Sequence, residues 1–301
     1  MQDMTPNILI HYLQYSQYTS PSVYENEIIK SFPDEVREIG LLVRKQLIHR
    51  MTLQNGNTGS NEDLRYGDMI KVPWNRQPED DIFVTASAMI SELYRRDPKG
   101  FTHDRSAEHK LILACRHISV LMAAILKAKK ISARVRSGFA PYFVVKGLPS
   151  GKSDDHWINQ YFNKKEQRWV TIDVDGSFEE LHFDPYDIPS GTFDFAADVW
   201  IGIRNGTINA DHFWNAGGNG GLIVVAWELF YDFHCLMNDE VIYTHTPKIV
   251  HFGTFEKLTE FQLKEIDNLA KLMQNPDKYF DELLHIWETK KQFRLVKGGL
   301  I

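Results

Sequence analysis

The chain has 301 residues, 43% hydrophobic and 12% aromatic, which is enough apolar surface for a packed core and too much for a disordered segment. Its net charge of −6 disfavours a nucleic-acid-binding surface and matches the mild acidity that keeps many proteins in solution. The two cysteines, Cys115 and Cys235, lie far apart, which excludes a disulfide framework and fits a reducing compartment.

In chain order, the opening Met1-Gln2-Asp3-Met4-Thr5-Pro6 lacks a basic segment followed by an apolar one, so no secretory signal is expected. Residues 22–51 carry Val23, Ile28, Ile29, Val36, Ile39, Leu42, Val43, Leu47 and Ile48, mostly at three- and four-residue spacing, which predicts helix. Pro33 interrupts it, and Asp34 and Glu35 then supply the acids that a helix start prefers. Asn55-Gly56-Asn57-Thr58-Gly59-Ser60-Asn61 reads as a surface loop. Residues 82–95 read as an amphipathic helix ended by Asp97-Pro98-Lys99-Gly100. This first third shows little chemistry.

Residues 114–129 predict a helix with Ile118, Leu121, Met122, Ile125 and Leu126 on one apolar face. Strand-like runs follow at 133–139, 156–162 and 168–173, the last two joined by the polar hairpin loop Asn163-Lys164-Lys165-Glu166-Gln167. The fold class expected is α+β, with the helix packed on an antiparallel sheet. A loop-rich stretch holds Asp184-Pro185-Tyr186-Asp187-Ile188-Pro189. Helices are then expected at 196–204 and 221–237, with Gly217-Gly218-Asn219-Gly220-Gly221 as a break before the second. Its apolar start, Gly221 to Trp227, is too short to span a bilayer and runs into Glu228 and Asp232. Two closing helices, 260–273 and 277–291, flank Asn275-Pro276. No repeat or linker stands out. The expected organisation is a helical cap over 1–105, a core with its extension over 106–245 and a helical segment over 246–301, in one continuous domain.

Cys115 stands near the start of its helix, where unpaired N–H groups and the macrodipole favour a thiolate. A cysteine on an apolar helix is ordinarily inert packing. His156 and Asp173 downstream change that reading, because Cys, His and Asp in this order suit a cysteine acyl-transfer triad. Neighbouring antiparallel strands let the side chains of His156 and Asp173 meet. The oxyanion hole is expected to use the Cys115 backbone N–H and one further donor that the sequence does not identify. Arg116 and Trp157 are candidates for binding substrate or shaping the site, although a strand tryptophan is equally a core residue.

Cys115-Arg116-His117-Ile118-Ser119-Val120-Leu121-Met122-Ala123-Ala124-Ile125-Leu126 and Ile131-Ser132-Ala133-Arg134-Val135-Arg136-Ser137-Gly138-Phe139 resemble the transglutaminase-like core. The resemblance continues through Asp155-His156-Trp157 and Arg168-Trp169-Val170-Thr171-Ile172-Asp173, and past the core through Phe183-Asp184-Pro185, Asp187-Ile188-Pro189 and Ala197-Asp198-Val199-Trp200. In length the chain is similar to a group of bacterial transglutaminase-like proteins. The resemblance is specific over about 110–175, looser to about 240 and weak at both ends. It implies a papain-like fold with Cys115 as nucleophile, His156 as base and Asp173 as orienter. Two positions depart from the pattern: Leu113-Ala114, where members often have glycine before the cysteine, and Lys129-Lys130, where they commonly have glycine at the helix end. A lysine in a left-handed helix-ending conformation costs about 1 kcal/mol.

Other candidates carry less. Cys115 and His117 lack a second Cys/His pair to complete a tetrahedral set, so no metal and no cofactor are expected. His234-Cys235 reads as core. The glycine-rich stretch at 217–221 lacks the Lys-Ser/Thr ending of a P-loop and reads as a loop flanking the cleft. Asp154 and Asp155 read as solvated loop acids rather than a second orienter pair, and Lys127, Lys129 and Lys130 as a solvated helix end.

The expected function is a thiol-dependent acyl-transfer enzyme acting on an amide of a peptide, protein or small molecule through a thioester. It is expected in the cytoplasm, with no nucleic-acid or membrane partner. Transfer to an amine calls for an acidic or aromatic pocket, which the sequence does not reveal, so hydrolysis is favoured. The alternative is a catalytically silent binding module on a transglutaminase fold. Nucleic-acid binding, known on this fold, is disfavoured by the charge and by the lack of interleaved basic and aromatic residues.

Overall fold

A computed structural model of the chain describes residues 6–54, 72–143, 152–176 and 181–295. The loop expected at 55–61 lies outside them. The described helices are α1 (Pro6–His11), α2 (Glu25–Ser31), α3 (Val36–Lys45), α4 (Arg50–Gln54), α5 (Glu79–Ile82), α6 (Ala86–Arg96), α7 (Cys115–Ala128), α8 (Ala196–Arg204), α9 (Leu222–Leu236), α10 (Glu260–Met273) and α11 (Phe280–Thr289). The strands are β1 (Leu47–His49), β2 (Leu111–Leu113), β3 (Ala133–Ala140), β4 (Ser153–Asn163), β5 (Arg168–Ile172), β6 (Asp194–Phe195) and β7 (Phe213–Trp214).

The fold is α+β. The main sheet runs β5-β4-β3-β6 with antiparallel neighbours, and β7 pairs in parallel with the first residues of β4. Helix α7 packs on β3 and β4 and is buried along its whole length. The single apolar face read from its sequence therefore falls short. Helices α2, α3 and α6 cover it from outside, so Ile39, Val43, Met89 and Ile90 share one core with Leu121 and Ile125. Lys127 Nζ donates to Asn238 Oδ1 at 3.0 Å instead of facing water. A second core joins α8, α9, α10 and α11 with Phe139 of β3.

Three differences from the sequence reading bear on the site. Residues 47–49, whose periodicity reads as helix, form β1, because they pair in parallel with β2 in the register His49↔Leu113. Tertiary pairing overrides a local pattern of only three residues. The helix expected from residue 82 starts instead at Ala86, where Thr85 Oγ1 accepts the Ala88 N–H at 3.2 Å as an N-cap. Strand β4 begins at Ser153, so Asp154 and Asp155 are strand residues and not solvated loop acids. At the end of α7, Lys130 has φ 60°, the left-handed conformation that favours glycine. Among the described residues, no helix is long and apolar enough to cross a membrane.

Candidate active site

Cys115 is the first residue of α7 and follows the extended Ala114, which offers no side-chain cap. No side chain of Ala114 therefore caps the N–H groups of the first turn beside the sulfur. Strand β2 delivers the chain to this point and is held from below: the buried Glu79 accepts the Ile112 N–H at 2.7 Å and pairs with Arg96 at 2.6 Å.

His156 and Asp173 come together as the sequence implies. Pairing of β4 with β5 ends at Asn159↔Ile172, so by alternation Asp173 falls on the His156 side of β4. His156 Nε2 lies 2.9 Å from Asp173 Oδ2, and both side chains are buried. Asp173 also accepts the Gly176 N–H on Oδ1 at 2.7 Å and the Tyr142 O–H on Oδ2 at 2.7 Å. Phe143 closes over the imidazole, ring centroids 4.6 Å apart.

Burial pushes the Asp173 carboxyl up, but the His156 imidazole and these hydrogen bonds outweigh it and hold the group below its ordinary value. Burial likewise opposes a charged His156, yet Asp173 and then Cys115 raise it well above the usual imidazole range. Burial also opposes a thiolate at Cys115. The imidazoles of His156 and His49 overcome it, and the thiol sits below its ordinary value. The arrangement is a thiol poised as a thiolate beside an imidazole that a carboxylate orients.

Two residues that the sequence reading passed over meet the sulfur. His49, at the end of β1, interacts with the Cys115 side chain, and its Nε2 lies 3.5 Å from Asp175 Oδ2. Tyr243 Oη lies 3.1 Å from Sγ and accepts the Arg116 N–H at 3.0 Å, which leaves its own proton for the sulfur. No local pattern marks either residue. His49 reaches the site through the β1–β2 pairing, and Tyr243 comes from 128 residues downstream.

The remaining candidates fall into place around them. Arg116 does not face the cleft. Its guanidinium donates to the Glu240 and Val241 carbonyls, with 2.8 Å to Val241, and so anchors the segment leading to Tyr243. Trp157 is fully buried and packs against two residues that line the cleft, edge-on to Tyr243 at 5.8 Å and tilted against Tyr231 at 5.5 Å, so it shapes the site from behind them. His117 and Cys235 are buried, and burial holds the Cys235 thiol well above its ordinary value. Among the described residues, no group of three or more His, Cys, Asp or Glu side chains could hold a metal.

A cleft of about 690 Å³ opens onto Cys115 and His49. Its lining includes the acids Asp154, Asp155 and Glu228 and the aromatic residues Trp227, Tyr231, Tyr243 and Phe252. Asn215, Ala216 and Gly217 line it too, so the glycine-rich stretch does flank the cleft. Burial, then Asp155 and Cys115, push the Asp154 carboxyl up to about 8, and its Oδ1 is buried with no hydrogen-bond partner. Glu228 is held well above its ordinary value by burial and by Asp155.

No family model matches the chain, and no curated protein matches it. Among solved structures it is similar to a "Putative Cysteine Protease" from Cytophaga hutchinsonii, at 16% identity and a TM-score of 0.36 over 65% of this chain, and it spans 50% of that one.

Proposed function

We propose that the protein is a thiol-dependent acyl-transfer enzyme of the transglutaminase-like kind, acting in the cytoplasm on an amide through a thioester on Cys115. In this reading the Cys115 sulfur attacks the carbonyl, His156 takes the thiol proton and passes it to the leaving amine, and Asp173 holds the imidazole in register. The observation that carries it is the buried His156–Asp173 contact of 2.9 Å beside a thiol whose pKa is lowered despite burial.

Transfer to an amine gains support over hydrolysis from the cleft. The residues that suit an ammonium group line it together: the acids Asp154, Asp155 and Glu228 and the aromatic Trp227, Tyr231 and Phe252. Trp227 and Phe252 stand edge to face at 5.1 Å, which leaves ring faces for a cation. The acyl acceptor is therefore an amine that arrives as an ammonium and gives up a proton before its nitrogen attacks the thioester, or else a cationic group sits beside the scissile amide.

Mass spectrometry of Cys115 after incubation with activated esters and peptide amides tests the reading. An acyl adduct on the wild type and none on Cys115→Ser is the expected result, with n-butylamine speeding its loss. A wild-type protein that binds n-butylamine but never carries an acyl adduct would instead be a silent binding module.

A further inference from the structure

Three polar side chains surround the sulfur of Cys115, and their hydrogen bonds and exposure give them different parts. His156 turns Nε2 to Asp173 and lies buried under Phe143. His49 carries its ring proton on Nε2, because Nδ1 accepts the Met51 backbone N–H at 3.2 Å, but that Nε2 has no accessible surface. Neither ring is placed to meet a carbonyl oxygen in the cleft. Tyr243 differs from both: it is partly exposed, lines the cleft together with Cys115 and sets Oη 3.1 Å from Sγ.

The Tyr243 hydroxyl is held by its oxygen, and its proton is free to turn. Oη accepts the Arg116 backbone N–H at 3.0 Å, one of the first N–H groups of α7, so the positive end of that helix acts on the phenol. Accepting that bond polarises the O–H and strengthens it as a donor. The ring itself is fixed from three sides. It packs edge-on to Trp157 at 5.8 Å and to Tyr231 at 6.2 Å, and the Tyr231 hydroxyl donates to the Tyr243 carbonyl. Just before it in the chain, the Arg116 guanidinium holds the carbonyls of Glu240 and Val241. Burial, then Cys115 and Asp155, push the phenol well above its ordinary value, so Tyr243 keeps its proton beside a thiolate.

We propose that Tyr243 is the second oxyanion donor of this site, turning its O–H from the sulfur of Cys115 to the substrate carbonyl oxygen as charge passes from one to the other. The role rests on the acyl-transfer reading above. Before reaction the phenolic proton points at the thiolate. As a sulfur lone pair forms the S–C bond, the sulfur loses its charge and the carbonyl π pair moves onto oxygen. That oxygen is only two bonds from the sulfur, so a hydroxyl 3.1 Å from Sγ can meet it at the roughly 2.7–3.1 Å that an oxyanion donor requires. The oxygen accepts the hydrogen bond and takes no proton. The pair then returns, the C–N bond breaks, and the leaving amine takes the proton that His156 removed from the thiol. One hydroxyl thereby serves both charges in turn, and Tyr243 ends the step as it began.

Two reactions of the same thiol separate this role from its competitors. Alkylation by iodoacetamide consumes the thiolate and passes through no oxyanion; acylation by p-nitrophenyl acetate passes through one. Both are measured at a pH on each protein's own alkylation plateau, where a shift in the thiol midpoint no longer counts. In Tyr243→Phe, which keeps the ring and its packing, the ratio of acylation to alkylation rates at Cys115 falls about 100-fold. Alkylation itself stays close to wild type, which shows that the site still assembles. If both rates fall together, the tyrosine only supports the thiolate or the fold, and the assignment is wrong. A ratio that holds or rises overturns it as well, because the hydroxyl is then idle or stands in the way of the sulfur. If the wild type alkylates but is never acylated, the acyl-transfer reading fails first and takes the donor role with it.

Discussion

Asp173 and Asp175 leave the turn after β5 toward different imidazoles, the first to His156 at 2.9 Å and the second to His49 at 3.5 Å. Two residues of chain thereby orient both rings that flank the sulfur. Asp173→Asn loses the ion pair and stabilises the wrong tautomer, so acylation at Cys115 by an activated ester should slow by about 10²–10⁴. Asp175→Asn, which faces a ring whose tautomer Met51 already fixes, should slow it by only about tenfold. Burst kinetics measure both, and equal losses would show that the two carboxylates are not specialised.

The lowered thiol and raised imidazole predict a thiolate that persists into mild acid. Iodoacetamide alkylation of the wild type should keep its plateau well below the ordinary thiol pKa of about 8.5. His156→Ala should move the midpoint up by a unit or more, and an unmoved midpoint would remove His156 from the site. Tyr243→Phe, which takes away the hydrogen bond to the sulfur, should move it upward by less.

Stability follows with a definite sign. The His156 contribution is fully present below its unfolded pKa of about 6.5 and is lost as pH rises through the elevated folded value; that of Asp173 is present above about 3.9 and is lost as pH falls through its depressed one. Both operate between about pH 4 and 6.5. Breaking one partner of a buried pair costs about 3–5 kcal/mol. The melting-temperature gap between wild type and His156→Gln should therefore be widest in that window and narrow in alkali. A gap that goes on widening as pH rises above about 6.5 contradicts the ion pair.

Gly176 lies against the Asp173 carboxylate so closely that a Cβ there would stand 2.3 Å from Oδ2. Gly176→Ala should thus displace the carboxylate and slow acylation nearly as much as Asp173→Ala does. Its circular dichroism should stay that of wild type, because the strain is confined to one turn. Full activity in Gly176→Ala would mean that Asp173 is not held by this contact.

With Asp154 pushed up to about 8, this acid of the cleft carries its proton near neutrality. An ammonium guest must replace it, so n-butylamine should bind with release of a proton and tighten as pH rises toward 8, by at most about tenfold per unit for one proton. Calorimetry in two buffers of different ionisation enthalpy reads the release directly. Asp154→Asn should flatten the pH dependence; a wild-type affinity indifferent to pH would contradict a protonated Asp154.

Much of this was legible in the sequence. The helix of Cys115 and the strands of His156 and Asp173 carry strong periodicity or hairpin signals, and the structure brings these side chains together. The rest was hidden for a physical reason. His49 sits in three residues whose spacing suits the neighbouring helices, and only β2, more than sixty residues later in the sequence, makes them a strand. Tyr243 lies outside any helix or strand, held by the Tyr231 hydroxyl on its carbonyl and by Arg116. Asp154 and Asp155 look like loop acids because their burial comes from β7 and α9, which follow much later.

The short parallel pairing of β1 with β2 also governs when the protein becomes reactive. Residues 49, 115, 156, 173 and 243 span nearly two hundred positions, and the sulfur meets its partners only after all of those stretches have docked. Until then Cys115 is an ordinary thiol of ordinary reactivity. A ribosome-bound chain that has exposed the cysteine but not Tyr243 has no assembled nucleophile. Long-range topology thus keeps the thiol ordinary until the whole chain has folded.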